Sequence, residues 1–305
     1  MVSTVQKKKF IVSNEYDGKR LDKYLSECLS DISRTLIQRL IKDGLVLVNN
    51  TVSKAGHKLK KTDKVFVSIP DLKSPEVKAQ EIKLDVVMED NDLIVVNKSQ
   101  GMVTHPASGH FEGTLVNALL AHCKGSLSGI NGVMRPGIVH RLDKETSGLI
   151  IACKNDKSHN EIAKQLKDRK VKRSYLAIVH GNVQYDRGVI NKPIGRHKTQ
   201  RHKMAVVTGG RVAITHWEVI KRMGSYTLLE LTLETGRTHQ IRVHMASLGY
   251  PVLGDKTYGK KNDECDSMML HAYKLDFTHP TTNKKIKLET NMPERFKDRI
   301  VICAQ

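Results

Sequence analysis

The 305-residue chain is predicted to fold as an α+β protein in two parts. Strand-like apolar runs alternate irregularly with helical stretches beyond Leu84, while two helical periodicities and a hairpin pattern precede Asp71. Between them, Asp71 to Lys83 carries Pro75 and mixed charges and reads as a linker. The expected boundaries are a small domain over 1–75 with a linker to about 83, then a larger domain over 84–305.

In the small part, Leu21, Tyr24, Leu25 and Cys28 recur at helical spacing, as do Leu36, Ile37, Leu40 and Ile41. Ser33 is a candidate N-cap and Gly44 a stop. Leu45 to Val48 reads as a strand turning at Asn49-Asn50, and Val65-Phe66-Val67 as its partner. Lys19, Arg20, Lys23, Arg34, Arg39 and Lys42 would face outward together. This unit resembles the small RNA-binding domain named after a ribosomal small-subunit protein, with Ser33-Arg34 leading the second helix and Lys42-Asp43-Gly44 closing it. That resemblance makes Arg34 and Lys42 RNA-contacting residues. In the larger part, Leu93–Val96, Gly148–Ala152, Tyr175–Val179 and Tyr226–Leu233 read as strands.

Lys and Arg outnumber Asp and Glu by 51 to 32, a net charge of +19. Such charge draws a phosphate backbone whatever its sequence, so a nucleic acid is the expected partner. Five scattered cysteines without a C-x-x-C pair point to a reducing compartment, and the cytoplasm is the expected location. No apolar run approaches the roughly 20 residues needed to cross a bilayer, so no membrane is expected.

Two clusters carry chemistry. Gly137 to Gly148 sets His140, Arg141, Asp143 and Lys144 between two apolar runs, where a loop exposes polar groups that buried strands hold still. A kinase catalytic loop also opens with His and Arg before Asp. Leu142 interrupts that pattern here, and the chain has no glycine-rich phosphate loop and no D-F-G. In the second cluster, Leu233 to His244, a strand turns at Gly236 into a helix carrying Ile241, Met245 and Leu248 on one face, with Gly249 as stop. Arg237 stands at the junction, where it could point into a cleft and keep a neighbouring carboxylate ionised, or pair with Glu234 on the surface.

His197 with His202 and His239 with His244 are each five apart, which does not place two imidazoles on one helix face, so no metal is expected. Lys192 to Lys203 includes Arg196, Arg201 and Lys203 and no acid, and reads as a phosphate-gripping loop. Tyr175, just beyond Lys170 to Arg173, could stack on an extruded base or belong to the core.

Together these residues resemble the RluA-type family of pseudouridine synthases. Beyond Gly137 to Gly148, the match covers Gly113 to Leu120, Arg173 to Val179, Gly236 to His244 and Leu270-His271-Ala272. The resemblance implies a pseudouridine synthase fold, with a central mixed, mainly antiparallel sheet flanked by helices and preceded by a small α/β-hairpin domain. It makes Asp143 the nucleophile, Arg237 its ion-pair partner, Tyr175 the base-stacking residue and Arg141 a probe entering the space of a flipped uridine, with His140 beside them contacting RNA. No cofactor is implied. The implied substrate is uridine in large-subunit ribosomal RNA, free or in an assembling particle, and a monomer is expected. The alternatives are a non-catalytic RNA-binding or assembly factor, which would not need Asp143, Arg237 and Tyr175 together, and a tRNA-directed synthase. One departure stands at Ser99, where the family commonly has proline in Asn-Lys-Pro, and a looser loop is the expected result.

Overall fold

In a computed structural model the chain divides into two compact units, Met1–Ser74 and Pro75–Gln305. The structure describes residues 6–29, 32, 34–70, 77–107, 110–263 and 265–303. Ser33, the candidate cap, and residues 71–76 of the expected linker lie outside these.

The first unit holds β1 (Gln6–Ile11), α1 (Leu21–Cys28), α2 (Arg34–Lys42), β2 (Val46–Val48), β3 (Thr51–Val52) and β4 (Lys64–Ile69). Its antiparallel sheet has the order β1-β4-β2-β3. The two helices form at the expected apolar spacing, and Leu21, Leu25, Ile37, Leu40 and Ile41 close over Val46, Val65 and Val67. Asn49 and Asn50 both take positive φ, 50° and 67°, as a tight hairpin turn whose twist matches its strands requires. The basic run Lys7-Lys8-Lys9 is part of edge strand β1. Lysines on an exposed edge discourage pairing with other chains.

The second unit runs β5 (Val86–Glu89), β6 (Leu93–Lys98), α3 (Leu115–Cys123), β7 (Ser147–Cys153), α4 (Asp156–Lys167), β8 (Lys172–His180) and β9 (Arg187–Asn191). It continues with β10 (Ile194–Arg196), β11 (Met204–Val206), β12 (Ile214–Met223), β13 (Tyr226–Leu233), α5 (Gln240–Ser247), β14 (Leu270–Thr278), β15 (Lys285–Glu289) and α6 (Glu294–Cys303). The main sheet has the order β5-β6-β7-β14-β8-β13-β12-β9, with β15 beside β14. Among the described residues, only β7 and β14 pair in parallel.

Helices cover both faces, which explains why the central strands are unbroken apolar runs. Ile94, Val96, Ile150 and Ala152 pack with Leu115 and Leu119 of α3 and with Ile241 and Met245 of α5. The alternate residues Leu93, Val95, Leu149 and Ile151 pack with Ile162 of α4. Residues 77–83 are less a free linker than part of this unit. Val77 and Leu84 pack on its core, and the Asn117 side-chain amide donates to Lys78 O while Gly113 N donates to Gln80 Oε1.

Candidate active site

Asp143 lies on the loop entering β7, and its neighbours on both sides are fixed. The apolar run before it makes a single bridge, Ile138 to Ala152, instead of the expected strand. Leu142 is buried, its amide donating to Thr104 Oγ1 and its carbonyl accepting from the same hydroxyl. Thr146 N donates to Asp143 O, and Gly101 N to Lys144 O. The Lys98 ammonium, also buried, donates to Ser99 O, Met102 O and Lys144 O. Burial pushes its pKa down to about 7 against the pull of Asp143 and Glu145. Lys98 thus ties the Ser99 loop to the Asp143 loop. Gln100 adds bonds to Met268 O and Ser267 Oγ, so the absent proline leaves no loose segment.

Gly148 allows the approach of β14. Its φ is +115°, and a Cβ there would lie 2.1 Å from Ala272 O. His271 of β14 bonds Ser147 Oγ through Nδ1, and Arg295 of α6 donates to the same hydroxyl.

The partner of Asp143 is Arg242, on the first turn of α5. Arg242 Nη1 donates to Asp143 Oδ2 at 3.0 Å, while its Nε and Nη2 grip both oxygens of Asp255 at 2.7 and 2.8 Å. Burial works against this guanidinium, yet the two carboxylates raise its pKa above the ordinary arginine value. Burial likewise opposes the Asp255 carboxylate, but Arg242 and the amides of Thr257 and Tyr258 hold its pKa below the usual range. Asp143 Oδ1 has no protein partner among the described residues, and the side chain keeps 16% of its surface open. His239 Nε2 stands 3.9 Å from Oδ2, and its Nδ1 meets Tyr258 Oη at 2.8 Å. Burial lowers the pKa of this imidazole, against the attraction of Asp143.

Asp143 opens on a cavity of about 310 Å³ lined also by His140, Arg141, Tyr175, Arg237 and Arg242. The structure therefore gathers the residues singled out in both sequence clusters, but it redistributes their roles. Arg237 lines the cavity without pairing Asp143. Its Nε donates to Val212 O, because the turn is folded back by Gln240 Oε1, which accepts from Arg237 N and from Thr235 Oγ1. The ion pair assigned to Arg237 belongs to Arg242. His140, read as an RNA contact, lines the cavity and is also engaged within the protein. Its Nε2 accepts from Ile151 N, and burial together with Arg173 pushes its pKa down to about 3. Tyr175 is buried at the cavity wall, with its pKa raised by that burial. Arg141 is exposed at the lining.

Arg196, Arg201 and Lys203 share the β10–β11 hairpin, where Arg196 Nη1 donates to Arg201 O. Met204 N of this hairpin donates to Tyr258 Oη, and His244 Nε2 bonds Lys192 O at its base. In the first unit, Lys42 is exposed, whereas Arg34 Nη2 is engaged at 2.7 Å by the buried Asp22. Arg34 thus serves an internal ion pair before any RNA contact.

Sequence reasoning missed Arg242, Asp255, Tyr258, Lys98 and Arg173 as site residues. For Arg242 a signal existed: three positions beyond His239, it falls one helical turn along the same face. Asp255 and Tyr258 follow Gly254 in a loop whose course no periodicity reveals.

A mixed sheet that presents one half-open carboxylate in a cation-lined cavity, on a chain of this charge, defines an enzyme acting on a nucleic acid. The chain belongs to the RNA pseudouridylate synthase family, whose model matches residues 92–247, and an S4 domain matches residues 19–65. It is an RNA pseudouridine synthase, an isomerase. It is 48% identical to a Bacillus subtilis protein named as an uncharacterized RNA pseudouridine synthase, YlyB, over 94% of this chain and 95% of that one. It is 42% identical to the ribosomal large subunit pseudouridine synthase D of Zymomonas mobilis, over 93% of each. Among solved structures, human RNA pseudouridylate synthase domain containing 1 superposes with a TM-score of 0.59 at 28% identity, over 74% of this chain and 89% of that one.

Proposed function

We propose that the chain converts uridines of large-subunit ribosomal RNA to pseudouridine, with Asp143 as nucleophile. The observation that carries this reading is the divided state of that carboxylate. Oδ2 is fixed by Arg242, and Oδ1 faces a cavity large enough for a nucleobase. Attack at the ribose anomeric carbon breaks the glycosidic bond, and uracil leaves with the electron pair. The base turns, its C5 bonds to the sugar carbon as the carboxylate departs, and the C5 proton is lost while the former glycosidic nitrogen gains one. Attack on the uracil ring would start from the same carboxylate. Neither route needs an outside oxidant or reductant.

Reaching a paired uridine means extruding it, at a cost of a few kcal/mol. Arg141, exposed at the cavity edge, is suited to fill the gap, and Tyr175 to support the base inside. The names of the relatives from Zymomonas mobilis and Pseudomonas aeruginosa, both large-subunit synthases, support ribosomal RNA over tRNA. In this reading the chain acts as a monomer in the cytoplasm, on free ribosomal RNA or on an assembling particle. Asp143→Asn should abolish pseudouridine formation in ribosomal RNA while RNA affinity stays near wild type. Undiminished modification by that variant would sink the mechanism, and pseudouridine lost from tRNA alone in cells lacking the protein would overturn the substrate.

A further inference from the structure

Arg173 lines the same cavity and is 8% exposed, yet among the described residues its guanidinium has neither hydrogen bond nor ion pair, and its Nε is fully enclosed. A buried charge without a partner is costly, and such groups persist where a ligand completes them. The cavity's charge points the same way. Its lining holds Arg141, Lys167, Arg173 and Arg237 besides Arg242, and Arg242 is already answered by the carboxylates of Asp143 and Asp255. A neutral uracil would leave that excess uncompensated.

The position of Arg173 follows from its strand. It precedes Tyr175 by two residues on β8, so both side chains leave the same face of the sheet. Its guanidinium passes directly against Gly236, where a Cβ would lie 2.7 Å from Nη1. The absence of a side chain at Gly236 is what leaves room for the planar fork beside the turn that carries Arg237.

The geometry assigns Arg173 as the anchor for a backbone phosphate of the nucleotide that enters this cavity, a second fixed point beside the base contact at Tyr175. The assignment rests on the proposed function insofar as the nucleotide is a uridine. A planar guanidinium offers two parallel donors to phosphate oxygens, which fixes the orientation of the sugar as well as the charge. Arg173 is in this respect a binding and positioning residue whose role would be felt in KM and in the alignment of the sugar with Asp143.

The test uses the full chain with uridine 5′-monophosphate, uridine and inorganic phosphate as probes, followed by ligand-detected NMR titration. Wild type should bind the monophosphate about tenfold more tightly than the nucleoside, the ratio that one charge-assisted contact supplies. Arg173→Met should erase that preference and Arg173→Lys should keep part of it. Circular dichroism melting reports whether the Met variant is folded. Should it not be, Gly236→Ala displaces the guanidinium while keeping its charge, and it too should lower the ratio. A preference unchanged in folded Arg173→Met, or in Gly236→Ala where the Met variant is unfolded, would overturn the assignment. So would inorganic phosphate binding as tightly as the monophosphate, which would make this a free-anion site. None of these readouts needs turnover. An inactive wild type that keeps the preference would sink the functional reading alone, and an active one that lacks it would sink the phosphate anchor alone.

Discussion

Each unit of the molecule contains an aspartate gripped by arginine, and the two grips differ in how many partners they supply. Asp22 in the first unit is fully buried and accepts from Arg20 Nε and Nη2, Arg34 Nη2 and Gln38 Nε2, so both its oxygens are satisfied. The bond from Arg20, joined by those from Arg34 and Gln38, holds its carboxyl far below the usual range despite burial. Asp143 shares one arginine with Asp255 and has one oxygen left open. A saturated carboxylate is a structural knot. An unsaturated one, held at a single oxygen, keeps a lone pair for chemistry. Partner count, more than burial or charge, separates the two roles.

That contrast can be broken most forcefully at Arg242. Arg242→Gln should lower kcat by about 10²–10³-fold, the cost of removing a donor fixed on a reacting group. It should also destabilise the protein by about 3–5 kcal/mol, because Asp255 is left buried without its cation. Arg237→Gln should change kcat little, and a larger kcat loss there than at Arg242 would restore the assignment made from sequence.

At the saturated site the expected pattern is inverted. Asp22→Asn should leave kcat unchanged and cost about 1–3 kcal/mol, read as faster hydrogen exchange across α1 and α2 in the full chain. The half-exposed state of Arg20 and Arg34 favours the lower end of that range. Because the folded carboxyl is depressed, its contribution is complete above the unfolded value of about 3.9 and fades as the pH falls through and below it. The difference between wild type and Asp22→Asn should therefore shrink below about pH 4. A constant difference down to strong acid would mean that shape, not charge, is what Asn fails to supply.

The smallest effect belongs to the neighbouring cations. Lys42→Ala should flatten the salt dependence of RNA binding by about 0.7–0.9 of a log–log unit, as one phosphate contact does. Arg34→Met should change that slope less and stability more, since its guanidinium is committed to Asp22.

These particulars mark what was legible in the sequence. The buried strands and the helices were readable because periodicity is local: Leu93 to Val96 and Leu36 to Ile41 announce their elements within a few residues. Asp143 and Tyr175 were identified through a family resemblance, and the cavity brings them together. The choice of Arg237 over Arg242 failed because a side chain's direction at a turn depends on a distant acceptor. Val212 O captures one arginine, and Asp255 orients the other. The engagement of His140 was hidden for a related reason, since its polar neighbours in sequence gave no sign of the backbone donor at Ile151. Residues 77–83 looked like a linker because their contacts, at Asn117 and Gly113, lie far along the chain.

Gly148 has a consequence for what the gene can become. With Ala272 O only 2.1 Å from where any side chain would begin, every replacement must prise β14 from β7 at the spot where the Asp143 loop joins the sheet. The fold itself opposes any side chain at that position, independently of catalysis. The demand for glycine at Gly148 therefore comes from the seam between β7 and β14, and it would stand unchanged in a chain whose Asp143 had lost its reactivity.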